Sequence, residues 1–245
     1  MIEVRDVSKS FGEVHAVRNV SFDAADGQVT GLLGPNGAGK TTTLRMLYSL
    51  LPPDSGHIAV DGRALHGSDL SLQARLGVVP DARGLYQRLT ARENIEYFAR
   101  LHGLGREVCS QRIEELVRTL DMASFIDRRT AGFSQGQRVK VAIARALVHE
   151  PGNVLLDEPS NGLDVMSTRA LREFIRGMRD AGRCVVFSSH IMQEVAALCD
   201  HIVIIADGIV VAQGSADELR DRTGYENLED AFVGLIGGAP GEWLE

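Results

Sequence analysis

The residues with the clearest chemistry are Gly34-Pro35-Asn36-Gly37-Ala38-Gly39-Lys40-Thr41. They fit G-x-x-x-x-G-K-S/T, a pattern that carries meaning only between an apolar strand and a helix. Gln28 to Leu33 reads as such a strand. From Thr41 the apolar spacing turns helical, with Leu44, Leu47, Leu50 and Leu51 on one face before Pro52-Pro53 stops it. In that setting the glycines let backbone N–H groups face phosphate oxygens, and the helix start turns its positive end to the same charge. Lys40 supplies a cation for the β- and γ-phosphates, Thr41 a hydroxyl that can ligate Mg²⁺, and Thr42 a further phosphate contact. The chain has 26 Lys and Arg, of which only Lys9, Lys40 and Lys140 are Lys. A sequence so biased toward Arg still keeps a compact ammonium at position 40, as a tight loop requires.

A second constellation is Val154-Leu155-Leu156-Asp157-Glu158-Pro159, an apolar strand ending in two acids. Asp157 at the strand tip suits Mg²⁺, held through water. Glu158 is expected to point elsewhere because strand side chains alternate, and it can polarise an attacking water as general base. An apolar run ending in Asp-Glu is common and says little alone. Beside a phosphate loop it becomes half of a site.

Between these halves lies Phe133-Ser134-Gln135-Gly136-Gln137-Arg138, followed by the helical run Val139 to Leu147. Ser134 with Gln137 three residues on forms a capping box, which is a structural role in itself. The same start leaves helix N–H groups able to take an anion. Here the sequence strongly resembles the ABC ATPase family, whose signature motif it matches with Gln135 in place of the usual glycine. The resemblance covers about residues 1–220 and implies an α/β fold: a P-loop NTPase (RecA-like) core with an antiparallel β subdomain and a helical signature-motif subdomain. It implies that ATP and Mg²⁺ bind, with Ser134 and Gly136 contacting the γ-phosphate held by a second copy. Phe11 matches the aromatic that stacks on adenine, although an ordinary core Phe looks the same in sequence. Ser160-Asn161-Gly162-Leu163-Asp164 matches the D-loop at the dimer seam. His190 matches the switch histidine that contacts γ-phosphate and water.

One position departs from that family. Where it usually has a glutamine after the fourth core strand, Val79-Pro80-Asp81 carries an aspartate. Asp81 can bind Mg²⁺ or water, since a carboxylate only accepts, but the geometry of a glutamine does not carry over. The following Arg83-Gly84-Leu85-Tyr86, Leu89-Thr90 and Glu93-Asn94 resemble the ATP-binding subunits of Nat-type sodium exporters and related ABC-2 exporters. The segment from Pro80 to Arg92 lies where the family couples its ATP site to a membrane subunit. Arg83, Tyr86 and Arg88 are residue types suited to that surface.

Composition narrows the classes. Hydrophobic residues make up 44% of 245, enough for a full core. Aromatic residues are 5% and the net charge is -7, which argues against nucleic acid as a partner. Cys109, Cys184 and Cys199 are scattered without C-x-x-C spacing and read as reduced thiols. The sequence has no apolar run long enough to span a bilayer and opens on strand-like residues. The expectation is a cytoplasmic protein, peripheral on the inner face of the cell membrane through a separately encoded transmembrane permease.

The elements that must position these groups follow from periodicity. Strands are expected at Ile2 to Val7, Val20 to Phe22, His57 to Val60, Leu76 to Val79, Val154 to Leu156, Cys184 to Phe187, His201 to Ile205 and Ile209 to Gln213. Helices are expected at Glu93 to Leu101, capped by Thr90, at Val108 to Leu120, Gly136 to Val148, Val165 to Arg179, Ile191 to Leu198 and Leu228 to Ile236. This divides the chain into an ATPase domain, residues 1–220, with a helical insertion at about 86–150, and a C-terminal helix and glycine-rich tail, 221–245. The expected function is the ATP-hydrolysing motor of an exporter, with Na⁺ export in the manner of Nat-type systems as one reading, and with two copies sandwiching ATP as a homodimer. The alternative is a soluble ABC ATPase in nucleic-acid, ribosome or iron-sulfur assembly work. Against it stand a single phosphate loop, no zinc-spaced cysteines and no long coiled coil between the two motifs.

Overall fold

The computed structural model describes residues 1–65, 69–81 and 84–237. In chain order the elements are β1 (Ile2–Phe11), β2 (Val14–Ala24), β3 (Val29–Leu33), α1 (Lys40–Leu47), β4 (Ser55–Val60), β5 (Arg63–Ala64), α2 (Leu70–Gln73), β6 (Leu76–Val79), α3 (Ala91–Leu101), α4 (Arg106–Thr119), α5 (Gln135–Leu147), β7 (Asn153–Asp157), α6 (Val165–Asp180), β8 (Cys184–Ser189), α7 (Met192–Leu198), β9 (His201–Ala206), β10 (Ile209–Gly214), α8 (Ala216–Thr223) and α9 (Leu228–Leu235). They make two sheets. One is antiparallel, in the order β2-β1-β4-β5; the other runs β10-β9-β3-β8-β7-β6 and is parallel except for β10.

The parallel strands are short continuous apolar runs because both of their faces are covered. Their alternation assigns each face. Val29 and Leu33, Val154 and Leu156, Val185 and Phe187, and Ile202 and Ile204 join one core with the helices. Leu32, Leu155, Val186, Val203 and Ile205 join the other, with α1 and the antiparallel sheet. A sheet buried on both faces cannot slip by one residue without exchanging the two cores, so its register is fixed. That register sets the strand tips side by side, and the site is built there.

The long hairpin shows where sequence periodicity fails. The strands expected to end at Val7 and begin at Val20 extend to Phe11 and back to Val14. Register shifts interrupt the pairing between Val4 and Val7 and again near Lys9. Asp6 and Asn19 sit at φ 51 and 53. Bulges of this kind break the two-residue period while the ladder continues. Likewise Leu50 and Leu51 are not on the helix. α1 ends at Leu47, Ser49 turns left-handed at φ 59, and Leu50 is exposed.

Among the described residues, three helices have capping boxes, at Thr90/Glu93, Ser134/Gln137 and Ser215/Glu218. Each cap contributes about 1 kcal/mol. The third opens α8, which the apolar spacing did not reveal because Leu219 is its one buried residue. Among the described residues, no helix is long and apolar enough to cross a membrane. Cys109 and Cys184 are buried, and burial pushes the Cys184 thiol up to about 12, so it stays protonated.

Candidate active site

The loop between β3 and α1 is shaped by close backbone approach. Gly37 and Gly39 adopt φ 82 and 105, and a Cβ on Gly39 would meet the Ala16 carbonyl at 2.5 Å. A Cβ on Gly34 would lie 2.1 Å from the Ile205 carbonyl. Only glycine fits there. Gly39 caps α1 without a side-chain bond, and the first turn carries no acid. The helix start therefore keeps its positive end for an anion.

Lys40 opens α1 and is 5% exposed. Its ammonium donates to the Gly34 carbonyl at 2.7 Å and the Pro35 carbonyl at 3.1 Å, and lies 3.6 Å from Glu158 Oε1. Burial lowers its pKa, and the nearby Glu158 and Asp157 carboxylates oppose that shift. Thr41 Oγ1 donates to Asp157 Oδ1 at 3.1 Å. Asp157 is the last residue of β7 and 3% exposed.

Glu158 lies just past that strand at φ 46. Its direction thus comes from a left-handed backbone, not from strand alternation as the sequence reading expected. A non-glycine residue held there is typical of a strained functional position. Its Oε2 accepts from His190 Nδ1 at 2.9 Å, since a carboxylate can only accept. Lys40, Glu158 and His190 thus form one polar chain across the strand tips.

A cleft of about 480 Å³ opens over this chain, lined by Ala16, Asn36 to Thr42, Asp81, Glu158, Asn161 and His190. Gly34 and Pro35 lie beneath it as acceptors of Lys40, and Asp157 lies behind Thr41. Asp81 is exposed on its wall. Phe11 ends β1 and is 48% exposed, with the Lys9 ammonium 5.9 Å from its ring centre. Ser134 and Gly136 are not among the residues that line the cleft. They start α5, where Ser134 caps the helix and Gly136 packs so closely on α6 that a Cβ would come 2.9 Å from Ser167 Oγ. A larger groove of about 610 Å³ between α4 and α6 is lined by apolar side chains such as Leu116, Phe174 and Met178 and by charged ones, among them the Arg112–Glu150 pair. It has no glycine loop, so chemistry favours the smaller cleft.

Sequence reasoning missed several groups. Ser188 is fully buried and pairs in register with Asp157; its hydroxyl donates to Asp157 Oδ1 at 2.7 Å and accepts from the Glu158 N–H at 3.0 Å. Only the β7–β8 register could have exposed it. Asn94, fully buried on α3, clamps the Tyr86 backbone through both its amide groups. Arg145 donates to the Gly84 carbonyl at 3.0 Å and stacks on Phe98. Gly84 is thereby tied to α5 and Tyr86 to α3. Arg83 lies outside the described residues.

Residues 17–161 match the family model described as ABC transporter. The chain is 45% identical over 96% of its length to the ABC transporter ATP-binding protein NatA of Bacillus subtilis, covering 98% of it. It is 37% identical over 89% of its length to a Nod factor export ATP-binding protein I of Paraburkholderia xenovorans, covering 72% of that protein. A solved ATP-binding subunit of an ABC transporter superposes with TM-score 0.88 at 30% identity, over 96% of this chain and 99% of the other. A dimeric ATP-binding cassette in a post-hydrolysis state with ADP and Pi superposes with TM-score 0.80 at 26% identity, over 88% and 98%. On these likenesses the chain belongs to the ABC transporters, as an ATP-binding subunit with ATPase activity.

Proposed function

We propose that the protein is the motor of an exporter, working as an ATP-sandwich homodimer against a separately encoded permease. The observation that carries this reading is the chain Lys40–Glu158–His190 under the phosphate loop, with Asp157 and Thr41 beside it. Lys40 and the loop N–H groups hold the phosphates. Glu158 takes a proton from the attacking water, and His190 holds Glu158 and the γ-phosphate in line. The rate gain comes from positioning and charge stabilisation. Phe11 stacks on the adenine, and its exposed ring supports that role.

Mg²⁺ fits the donors. Thr41 Oγ1 and Asp157 Oδ1 are hard oxygens side by side, and Asp81 adds a carboxylate on the cleft wall. Among the described residues no cluster of three or more metal-binding side chains forms. The protein would thus supply part of the shell, with phosphate oxygens and water completing it, as is usual for this ion. When bound, the ion neutralises phosphate charge.

Ser134 and Gly136 do not line their own chain's cleft, which supports contact with the nucleotide of a second copy. The dimeric relative bound to ADP and Pi supports the same arrangement. An export role rests on relatives such as the Nod factor export protein. Na⁺ as cargo rests on the resemblance of the segment around Tyr86 and Glu93 to Nat-type exporters.

The permease would sit on the surface around Tyr86. Tyr86 and Tyr97 are exposed there with their rings in edge contact, centroids 5.4 Å apart. A groove of about 420 Å³ lined by Leu50, Phe98 and Arg145 lies between the core sheet and the helical insertion. In this reading residues 1–220 form the motor domain, with the insertion at about 86–150 relaying nucleotide state, and 221–245 an appendage. Through the permease the motor would lie on the cytoplasmic face of the membrane. The test is ATPase rate and transport with a reconstituted candidate permease. Tyr86→Ala and Arg88→Glu should keep the rate of the isolated subunit and lose assembly or transport. Variants that assemble and transport normally would refute this coupling surface.

A further inference from the structure

We infer that Ser188 is a positioning residue that locks Asp157 and Glu158 into one unit, and so sets both the Mg²⁺ dependence of the site and the aim of its base. The inference rests on the reading of Asp157 as metal-facing and Glu158 as the base.

β8 runs Cys184-Val185-Val186-Phe187-Ser188-Ser189, and all six residues are buried. An apolar side chain at 188 would satisfy packing in such a strand, so the hydroxyl must answer to polar partners. It has two. Parallel pairing sets Ser188 level with Asp157. The single hydroxyl proton goes to Asp157 Oδ1 at 2.7 Å, and a lone pair accepts the Glu158 N–H at 3.0 Å. One oxygen thus bridges the side chain of one acid and the backbone of the next.

Each half of the bridge has a separate consequence. Asp157 Oδ1 accepts from both Ser188 and Thr41. If the Thr41 oxygen turns to a metal, its bond to Asp157 is given up, while the bond from Ser188 remains. The carboxylate then keeps its orientation through the metal-bound and metal-free states. Glu158 is held at φ 46, a conformation a residue with a side chain keeps only under outside constraint. The bond from its N–H is such a constraint, and it fixes the stem of the carboxylate that meets Lys40 and His190. Ser188 reaches no cleft surface itself, so its effect passes through the two acids.

The test uses the full chain with three substitutions, Ser188→Ala, Ser188→Cys and Ser188→Thr, beside Asp157→Ala. ATP affinity is measured at equilibrium in EDTA and in Mg²⁺, and turnover is measured across a Mg²⁺ titration. Ser188→Ala should bind ATP in EDTA within about twofold of the parent, lose about tenfold of the affinity gained with Mg²⁺, and lose about tenfold in kcat. Ser188→Thr, which keeps the hydroxyl, should recover most of both. Where Ser188→Ala does not fold, Ser188→Cys, close in shape but a weak donor, takes the same measurements with the same expectation. A folded Ala or Cys variant with parental Mg²⁺ dependence and kcat, altered only in melting temperature, overturns the inference. If Asp157→Ala leaves the Mg²⁺ dependence unchanged, the reading of the site falls and this inference with it. If Asp157→Ala shifts it and Ser188→Ala does not, this inference alone falls.

Discussion

Replacing Lys40 by Met separates binding from folding, because the structure makes those two effects of opposite kind. In the free protein the ammonium is worth two charged hydrogen bonds, to the carbonyls of Gly34 and Pro35. Each such bond is worth about 1.5–3 kcal/mol. Against this stands the cost of burying an ammonium, several kcal/mol after relaxation. The lowered pKa of Lys40 says that burial outweighs the help from Glu158 and Asp157. The two sides nearly cancel, so Lys40→Met should change unfolding stability by no more than about 1 kcal/mol. With ATP bound the balance shifts. A unit charge about 4 Å from a phosphate oxygen contributes about 4 kcal/mol at an effective dielectric of about 20. If a third of that survives desolvation, ATP affinity falls at least about tenfold. Lys40→Arg should lose a similar amount, since a planar fork does not fit beneath two loop carbonyls. Urea unfolding and calorimetric ATP titration measure the two quantities. ATP affinity within about twofold of the parent would refute the cation role, and a loss of several kcal/mol without ATP would make Lys40 a structural residue instead.

Ser134→Arg should leave ATP binding to dilute monomers intact and abolish turnover at dimer-forming concentration; loss of monomer affinity would contradict contact with the second copy's nucleotide. Burial, with His102 stacked on the ring at 3.6 Å, pushes His149 down to about 4. Its folded pKa is below the unfolded value, so between about pH 6.5 and 4 the unfolded chain holds the extra proton. Stability should fall as pH drops through that window, by about 2 kcal/mol after discounting for the ring's partial exposure, and should be flat with respect to this group above it. Urea unfolding at pH 7.5 and 4.5 should show that loss in the parent and not in His149→Gln, and equal losses would refute it.

What could be read from the sequence was what depends on local pattern. The phosphate loop, the apolar strands of the parallel sheet and the capping boxes at Thr90 and Ser134 are spelled in consecutive residues. The α/β class, the family and the ATPase activity followed from them. What could not be read depends on register and on left-handed backbone. Glu158 was given the right neighbourhood for the wrong reason, because nothing in its type announces φ 46. Ser188 stayed hidden because its partner lies 31 residues away on another strand. The bulges at Asp6 and Asn19 hid the length of the first hairpin, and Ser49 ended α1 before Leu50. Polar clamps such as Asn94 on Tyr86 and Arg145 on Gly84 are likewise invisible until helices α3 and α5 are packed.

The proposed motor depends on Glu158 driving hydrolysis in an ATP sandwich of two copies. It is tested most directly by Glu158→Gln, with mass measured by light scattering on size exclusion in Mg²⁺-ATP. The substitution keeps the shape and one acceptor oxygen but cannot take a proton. Retained ATP binding, turnover reduced by about a hundredfold or more, and a stable dimer with ATP trapped inside are expected. A variant that hydrolyses ATP at the parental rate and stays monomeric in ATP would contradict both the base and the sandwich.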